Sequence, residues 1–284
     1  MNHAFSFNRW LLLVSKHWSE NRKKYMLGIL AITGVILIWF LFNILMEPSY
    51  PMPFGTQVGT YFVGLFIVGC LYASTLFSDL SSKSRGINFL SLPASQLEKT
   101  LTALLYGVVI FFVAYTVMFY IADIIMVKIG NSVAQVYWKR NHPNGGTLTP
   151  QSVVNIFNLE RGKQLPHELN MGLAFVLGYF AVQSAYLLGS VYFTRFSFIK
   201  TTVSLLVFVL FIILFVGKVM DSFMPHGGFY EGFTSYRLNQ NLGEEERIIR
   251  LPEWIGSAII FLFKYAFAPI FWITTYFRVK EKEI

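Results

Sequence analysis

The sequence predicts an all-α membrane protein, with six transmembrane helices preceded by an interfacial amphipathic helix. Three observations carry this. Only 13% of the 284 residues are charged, about half the quarter that soluble domains carry. Hydrophobic residues make up 55% of the chain. They also fall in blocks of the length, about 20 residues, that an α-helix needs to cross about 30 Å of hydrocarbon. A soluble enzyme and a disordered interaction protein are both excluded on these grounds. A transmembrane barrel would show short alternating segments, and the runs show none.

The N-terminal segment 1–24 precedes the first apolar block. Within it, Phe7, Trp10, Leu11, Val14 and Trp18 recur at helical spacing, with Arg9, Lys16, Glu20 and Lys23 off the stripe. Such a helix can lie in the inner headgroup layer, with tryptophan at the interface and lysine near anionic lipid. Its role is either a topology anchor or a lever that transmits force from a cytoplasmic partner.

The six spans fall at about 25–46, 58–77, 101–127, 170–193, 202–220 and 255–276. The first follows a long polar segment and has no small-residue cleavage site behind it, unlike a signal peptide. The third is overlong, which predicts tilt or extension into water. Lys218 sits near an end of the fifth, where it can snorkel. Glycines 59, 64 and 69 of the second would allow close helix approach. Residues 277–284 form a short tail.

An even number of spans puts both termini on one side, and the basic residues orient them. With the ends inside, inner segments hold Arg9, Lys16, Arg22, Lys23, Lys24, Lys83, Arg85, Lys99, Arg195, Lys200, Arg278, Lys280 and Lys282. Outer loops hold Lys139, Arg140, Arg161, Lys163, Arg237, Arg247 and Arg250. The net charge of +8 is therefore a topology signal, with no nucleic acid implied. The location is the cytoplasmic (inner) membrane.

The inner loop after the second span is too long for a minimal turn. Its first part, with Ser82, Lys83, Arg85, Ile87, Phe89 and Leu90, predicts a short helix that Leu92-Pro93 breaks, because proline has no N–H to donate. Ser95 and Glu98 have capping-box spacing, so a new helix starts near Ser95 and runs into span 3. Apolar side chains ringed by charge on this loop favour a protein partner over a loop folded back on the bilayer.

Two outer loops are long. In 128–169, Thr149-Pro150 has the form of a helix start, with Val153, Ile156 and Phe157 on one face. The loop 221–253 contains HGGFYEGF and an acidic run. Both are expected to pack on the outer ends of the spans.

Catalytic chemistry is not indicated. Glu245–Arg250 matches EExxxR, which occurs in intramembrane proteases resembling prenyl-protein endopeptidases. Here it lies in a polar loop, and all five histidines (His3, His17, His142, His167, His226) precede it. His142, His167 and His226 lack metal-ligand spacing, and the lone Cys70 forms no cluster. No P-loop string occurs, so ATP-driven work would need a partner's nucleotide site. Within the spans, Asp123 and Lys264 are costly unless paired or hydrated, and an Asp123–Lys264 pair between helices is one solution. Separate local packing is the other.

Three segments together carry a family resemblance: FNRWLLLVSKHWSENRKKY, FSDLSSKSRGINFLSLPASQLEKTL and WITTYFRVKEKEI. They resemble permease subunits of the ATP-binding-cassette (ABC) type-2 transporter family, in its Bacteroidetes-like branch with an LPAS-x-LEK signature. The resemblance implies an elbow helix bearing Arg9 and Trp10. It also implies a coupling helix over 82–90 that docks on a separate ABC ATPase, and a signature of Leu92, Pro93, Ala94, Ser95, Leu97, Glu98 and Lys99. Two six-span subunits, identical or paralogous, would form the export path. The chain itself would bind no cofactor, and ATP would sit on the partner. The implied function is the permease subunit of an ATP-driven exporter. The alternatives are a non-transporting membrane scaffold or assembly factor and, remotely, an intramembrane protease.

Overall fold

A computed structural model describes residues 5–81, 83–143, 145–159, 171–193, 195–223, 227–229, 235–238, 247–250, 254 and 261–282. Helices dominate: α1 (Phe7–Met46), α2 (Phe54–Thr75), α3 (Lys83–Leu90), α4 (Gln96–Leu104), α5 (Phe111–Asn141), α6 (Met171–Tyr192), α7 (Ser197–Phe223) and α8 (Phe267–Glu281). Among the described residues five helices are long and apolar enough to cross a membrane: Phe7–Met46, Phe54–Thr75, Gln96–Asn141, Met171–Tyr192 and Ser197–Phe215. The chain is thus a multi-pass helical membrane protein. Of the expected sixth span, residues 255–260 lie outside the described residues. The rest is a π-turn segment, Leu262–Ala266, followed by α8.

The N-terminal helix does not stop where the apolar block begins. Residues 7–46 form one α-helix of 40 residues, about 60 Å at 1.5 Å per residue. Nothing between residues 20 and 30 breaks it, since the charged residues there are good helix formers. The inward side chains follow Trp10, Val14, His17, Asn21, Tyr25, Ile32, Ile36, Phe40 and Ile44. Part of the predicted stripe points away from the protein: Phe7, Leu11 and Trp18 are exposed, and only Trp10 and Val14 turn inward.

Span 3 is longer still. The helix runs from Gln96 to Asn141, with π-turns over Leu105–Ile110. Its α5 part packs on α1 and α2 around Phe40, Tyr61, Tyr115, Phe119 and Met126, within the main core. Two of the three span-2 glycines serve contacts within the chain. A methyl on Gly64 would meet the Tyr115 hydroxyl, and one on Gly69 would meet the Tyr179 ring, whereas Gly59 faces open space.

The two segments expected outside the membrane depart from expectation twice. Thr149-Pro150 starts no helix, and residues 147–155 are irregular. Side chains of the spans capture that backbone instead. Gln57 Oε1 accepts from Val154 N–H (3.2 Å), Asn131 Oδ1 accepts from Gln151 N–H (3.0 Å), and Tyr120 Oη accepts from Ile156 N–H (3.1 Å). Val154 and Ile156 are buried while Val153 and Phe157 stay partly exposed, an alternating pattern in place of a helical face. In 221–253, Gly227–Phe229, Ser235–Leu238 and Arg247–Arg250 form a three-stranded antiparallel sheet. The all-α expectation therefore holds for the spans but not for this segment. Arg250, the arginine of the EExxxR match, lies on a strand. Glu245 and Glu246 lie outside the described residues.

Candidate functional site

The start of α1, the end of α2, helix α3, the start of α4 and the ends of α6 and α8 all meet at one end of the bundle. Phe77, Ala103, Leu187, Val191 and Val279 form a second core there, with Phe89 packed against it. The start of α1 and the end of α8 therefore reach the same end of the molecule. The expected tail is partly structural, since α8 continues to Glu281 and Val279 is fully buried. Lys282 donates to the Val191 carbonyl (2.6 Å), tying that end to α6.

Glu98 is the hub. Its N–H donates to Ser95 Oγ (3.2 Å) and its carboxylate accepts from Ser95 N–H (2.8 Å), so the capping box forms in full. The same carboxylate accepts Ser6 N–H (2.8 Å) and a two-pronged contact from Arg9, Nε to Oε2 and Nη2 to Oε1, each 2.8 Å. A parallel fork of this kind is among the strongest protein hydrogen-bond arrangements. Glu98 lies ahead of the apolar run 101–127, yet it is fully buried. The Arg9 guanidinium holds its carboxyl at about 2 against the cost of burial, with help from the Ser6 and Ser95 N–H groups. One side chain thus starts α4 and clamps the beginning of α1 onto it.

The other residues expected to form the docking segment divide. Ser82 lies outside the described residues, as do the side chains of Lys83, Arg85 and Leu90. Phe89 turns into the protein, edge-on to Phe77 with ring centroids 6.3 Å apart, and the Lys99 ammonium sits 5.5 Å from its centroid. Among the described side chains of α3, the exposed apolar one is Ile87, at 66%. Pro93 and Leu97 are exposed beside it, and Lys99 is buried at 3%. On α1, Trp10 packs with Phe5 and Phe7, with centroids 6.3 and 5.7 Å apart. Trp18 lies beside Tyr25, with centroids 6.0 Å apart.

Reading the sequence for ionisable residues misses an aromatic relay next to this clamp. His17 Nε2 and Tyr25 Oη are 2.7 Å apart, Tyr72 Oη donates to Tyr25 Oη (3.3 Å), and Tyr106 Oη donates to the Val14 carbonyl (3.0 Å). The His17 ring lies tilted against Tyr106, with centroids 4.4 Å apart. Burial lowers the His17 pKa, with the nearby Glu20 and Asp79 opposing. The signal available beforehand was polar rings at matched depth on three helices.

Within the spans, Asp123 is fully buried, and neither carboxylate oxygen has a hydrogen-bond partner among the described residues. The Lys264 side chain lies outside the described residues, and so does the Asp123–Lys264 pair. Gln183, also missed, is buried in α6 and donates to the Gly107 carbonyl (2.6 Å) within the π-turn segment. Among the described residues no group of His, Cys, Asp and Glu could hold a metal ion. Compared with family models, curated proteins and solved structures, the chain gives no significant match.

Proposed function

We propose that the chain is the membrane permease subunit of an ATP-driven exporter of the ABC type. A separate ATPase subunit would dock on the loop 78–99 and carry the ATP. The observation that supports this reading best is the Glu98 clamp. Through Ser95 and Arg9 it joins the inner loop to the start of α1 and to a helix that runs unbroken to Asn141. A force that reaches the start of α4 from the inner loop would pass through the Glu98 side chain into α1 and through helical backbone into span 3. Ile87 offers the exposed apolar contact that such a partner would cover. A second permease subunit belongs to the proposal, and α7, apolar and mostly exposed from Val203 to Phe215, is the broadest face for it.

Co-expression with candidate ABC ATPases, followed by copurification in detergent and liposome assays, tests the reading. A stable complex whose ATP hydrolysis responds to a transported substrate is the expected outcome. A complex without such hydrolysis would instead indicate a scaffold, and a well-folded chain that captures no ATPase would overturn the proposal. Ile87→Asp should weaken capture about tenfold or more while membrane insertion persists, because truncating or charging an interface anchor typically costs about 2 kcal/mol.

A further inference from the structure

Between α1, α2 and the α4–α5 helix lies a cavity of about 840 Å³, within the range of small-molecule sites, about 300–1,000 Å³. Its lining on α1 runs from Leu13 to Ile32, roughly 29 Å of helix at 1.5 Å per residue. One leaflet with its headgroups is about half of the 40–45 Å bilayer, so the cavity is long enough for a single lipid.

The lining is sorted by polarity along that length. Lys16, Glu20, Asp79 and Lys99 stand toward the end that holds the Glu98 clamp, and Lys24 lies about two turns farther along α1, beside Tyr25. Ile32, Val68, Phe111, Tyr115 and Met118 line the other end. The cations exceed the acids by one, three against two, and burial favours a neutral His17 between them. Lys16 and Lys24 are loosely engaged. Lys16 faces Glu20 at 3.8 Å on the exposed helix surface, and Lys24 donates to Asn21 at 3.4 Å. Exposed pairs of this kind are weak because water screens them, so a phosphate can displace them. A charged rim with an excess of cations, continuous with an apolar, aromatic wall, matches an anionic head on an acyl chain.

We propose that this cavity binds one anionic phospholipid, with its phosphate at Lys16 and Lys24 and an acyl chain along Ile32, Val68, Phe111 and Met118. The site stands independently of the transport reading, because nothing in its chemistry requires an ATPase. Gly28 lines the same cavity, and a Cβ there would meet nothing within 4 Å. A larger side chain at this position can therefore fill the space without a clash, and it replaces a poor helix former with a better one.

The test uses the full chain in detergent. Native mass spectrometry with phosphatidylglycerol, phosphatidylcholine and free glycerol phosphate reads retention. A phosphatidylglycerol carrying a photoactivatable acyl chain reports position. The expected result is one retained phosphatidylglycerol, preferred over phosphatidylcholine, with cross-links on residues 28–32 and 110–118. Gly28→Phe should lower retention at least tenfold. The surface double substitution Lys16→Gln/Lys24→Gln, at exposed positions that do not threaten folding, should remove the headgroup preference. Equal retention of both lipids would overturn the proposal, as would displacement by free glycerol phosphate. So would cross-links elsewhere, or retention unchanged in a folded Gly28→Phe protein and in the lysine double variant.

Discussion

At the residue scale, Glu98 decides how the N-terminus is held. Its carboxylate takes four donors: two from Arg9 and one each from Ser6 and Ser95. Arg9→Lys keeps the positive charge but loses the planar fork, so residues 6–20 should become more open to protease while the spans stay intact. Glu98→Gln removes the charge and turns an amide donor toward other donors, and should open the same segment further. Limited proteolysis with mass mapping checks both. The clamp also predicts an acid limit. A carboxyl held at about 2, below its ordinary 4.5, contributes in full above that ordinary value and is lost as pH falls through about 2. Spin labels at Phe5→Cys and Ala94→Cys, in a Cys70→Ser background, should keep a fixed distance at pH 5 and separate near pH 2. Separation already at pH 5 would mean that the fork does not hold the segment.

At the element scale, helix starts and helix contacts carry different costs. Ser95→Ala removes the cap of α4 and should cost about 1 kcal/mol, read by chemical denaturation of the purified protein. Gly69 and Gly59 make a sharper pair. An added methyl on Gly69 must displace the buried Tyr179 ring, and overpacking of this kind costs about 1–3 kcal/mol. Gly59→Ala meets open space and should match or slightly exceed wild-type stability, since alanine is the better helix former. The capping box was legible beforehand, because it depends on residues three apart. The fate of each glycine was not, because the clashing rings belong to Tyr115 and Tyr179 on other helices.

At the scale of the whole molecule, the described helix ends put residues near Arg9 and near Val279 at one end of the bundle. The connection 147–159 folds back on α2 and α5 at the other end. In intact cells, labels at Ser6→Cys and Lys280→Cys should therefore react from one side of the membrane, and at Gly146→Cys from the other. Reaction of all three from the same side would contradict the threading. Truncating both Gln57 and Asn131 to alanine should release the 149–159 segment to protease without unfolding the spans, since their two amides make four hydrogen bonds to that backbone.

The sequence alone determined that this chain lives in a membrane, roughly where its helices run, and where α4 begins. Those properties follow from local composition, from apolar length against bilayer thickness, and from capping residues adjacent in the chain. Only the tertiary structure decided that Glu98 clamps Arg9 across 89 positions, and that Phe89 faces inward against Phe77. It also decided that residues 149–159 run irregularly, and that α1 continues unbroken through its charged segment. Each of these turns on which distant group competes for a hydrogen bond or an apolar surface. That competition is settled by packing in space, so spacing along the chain cannot reveal it.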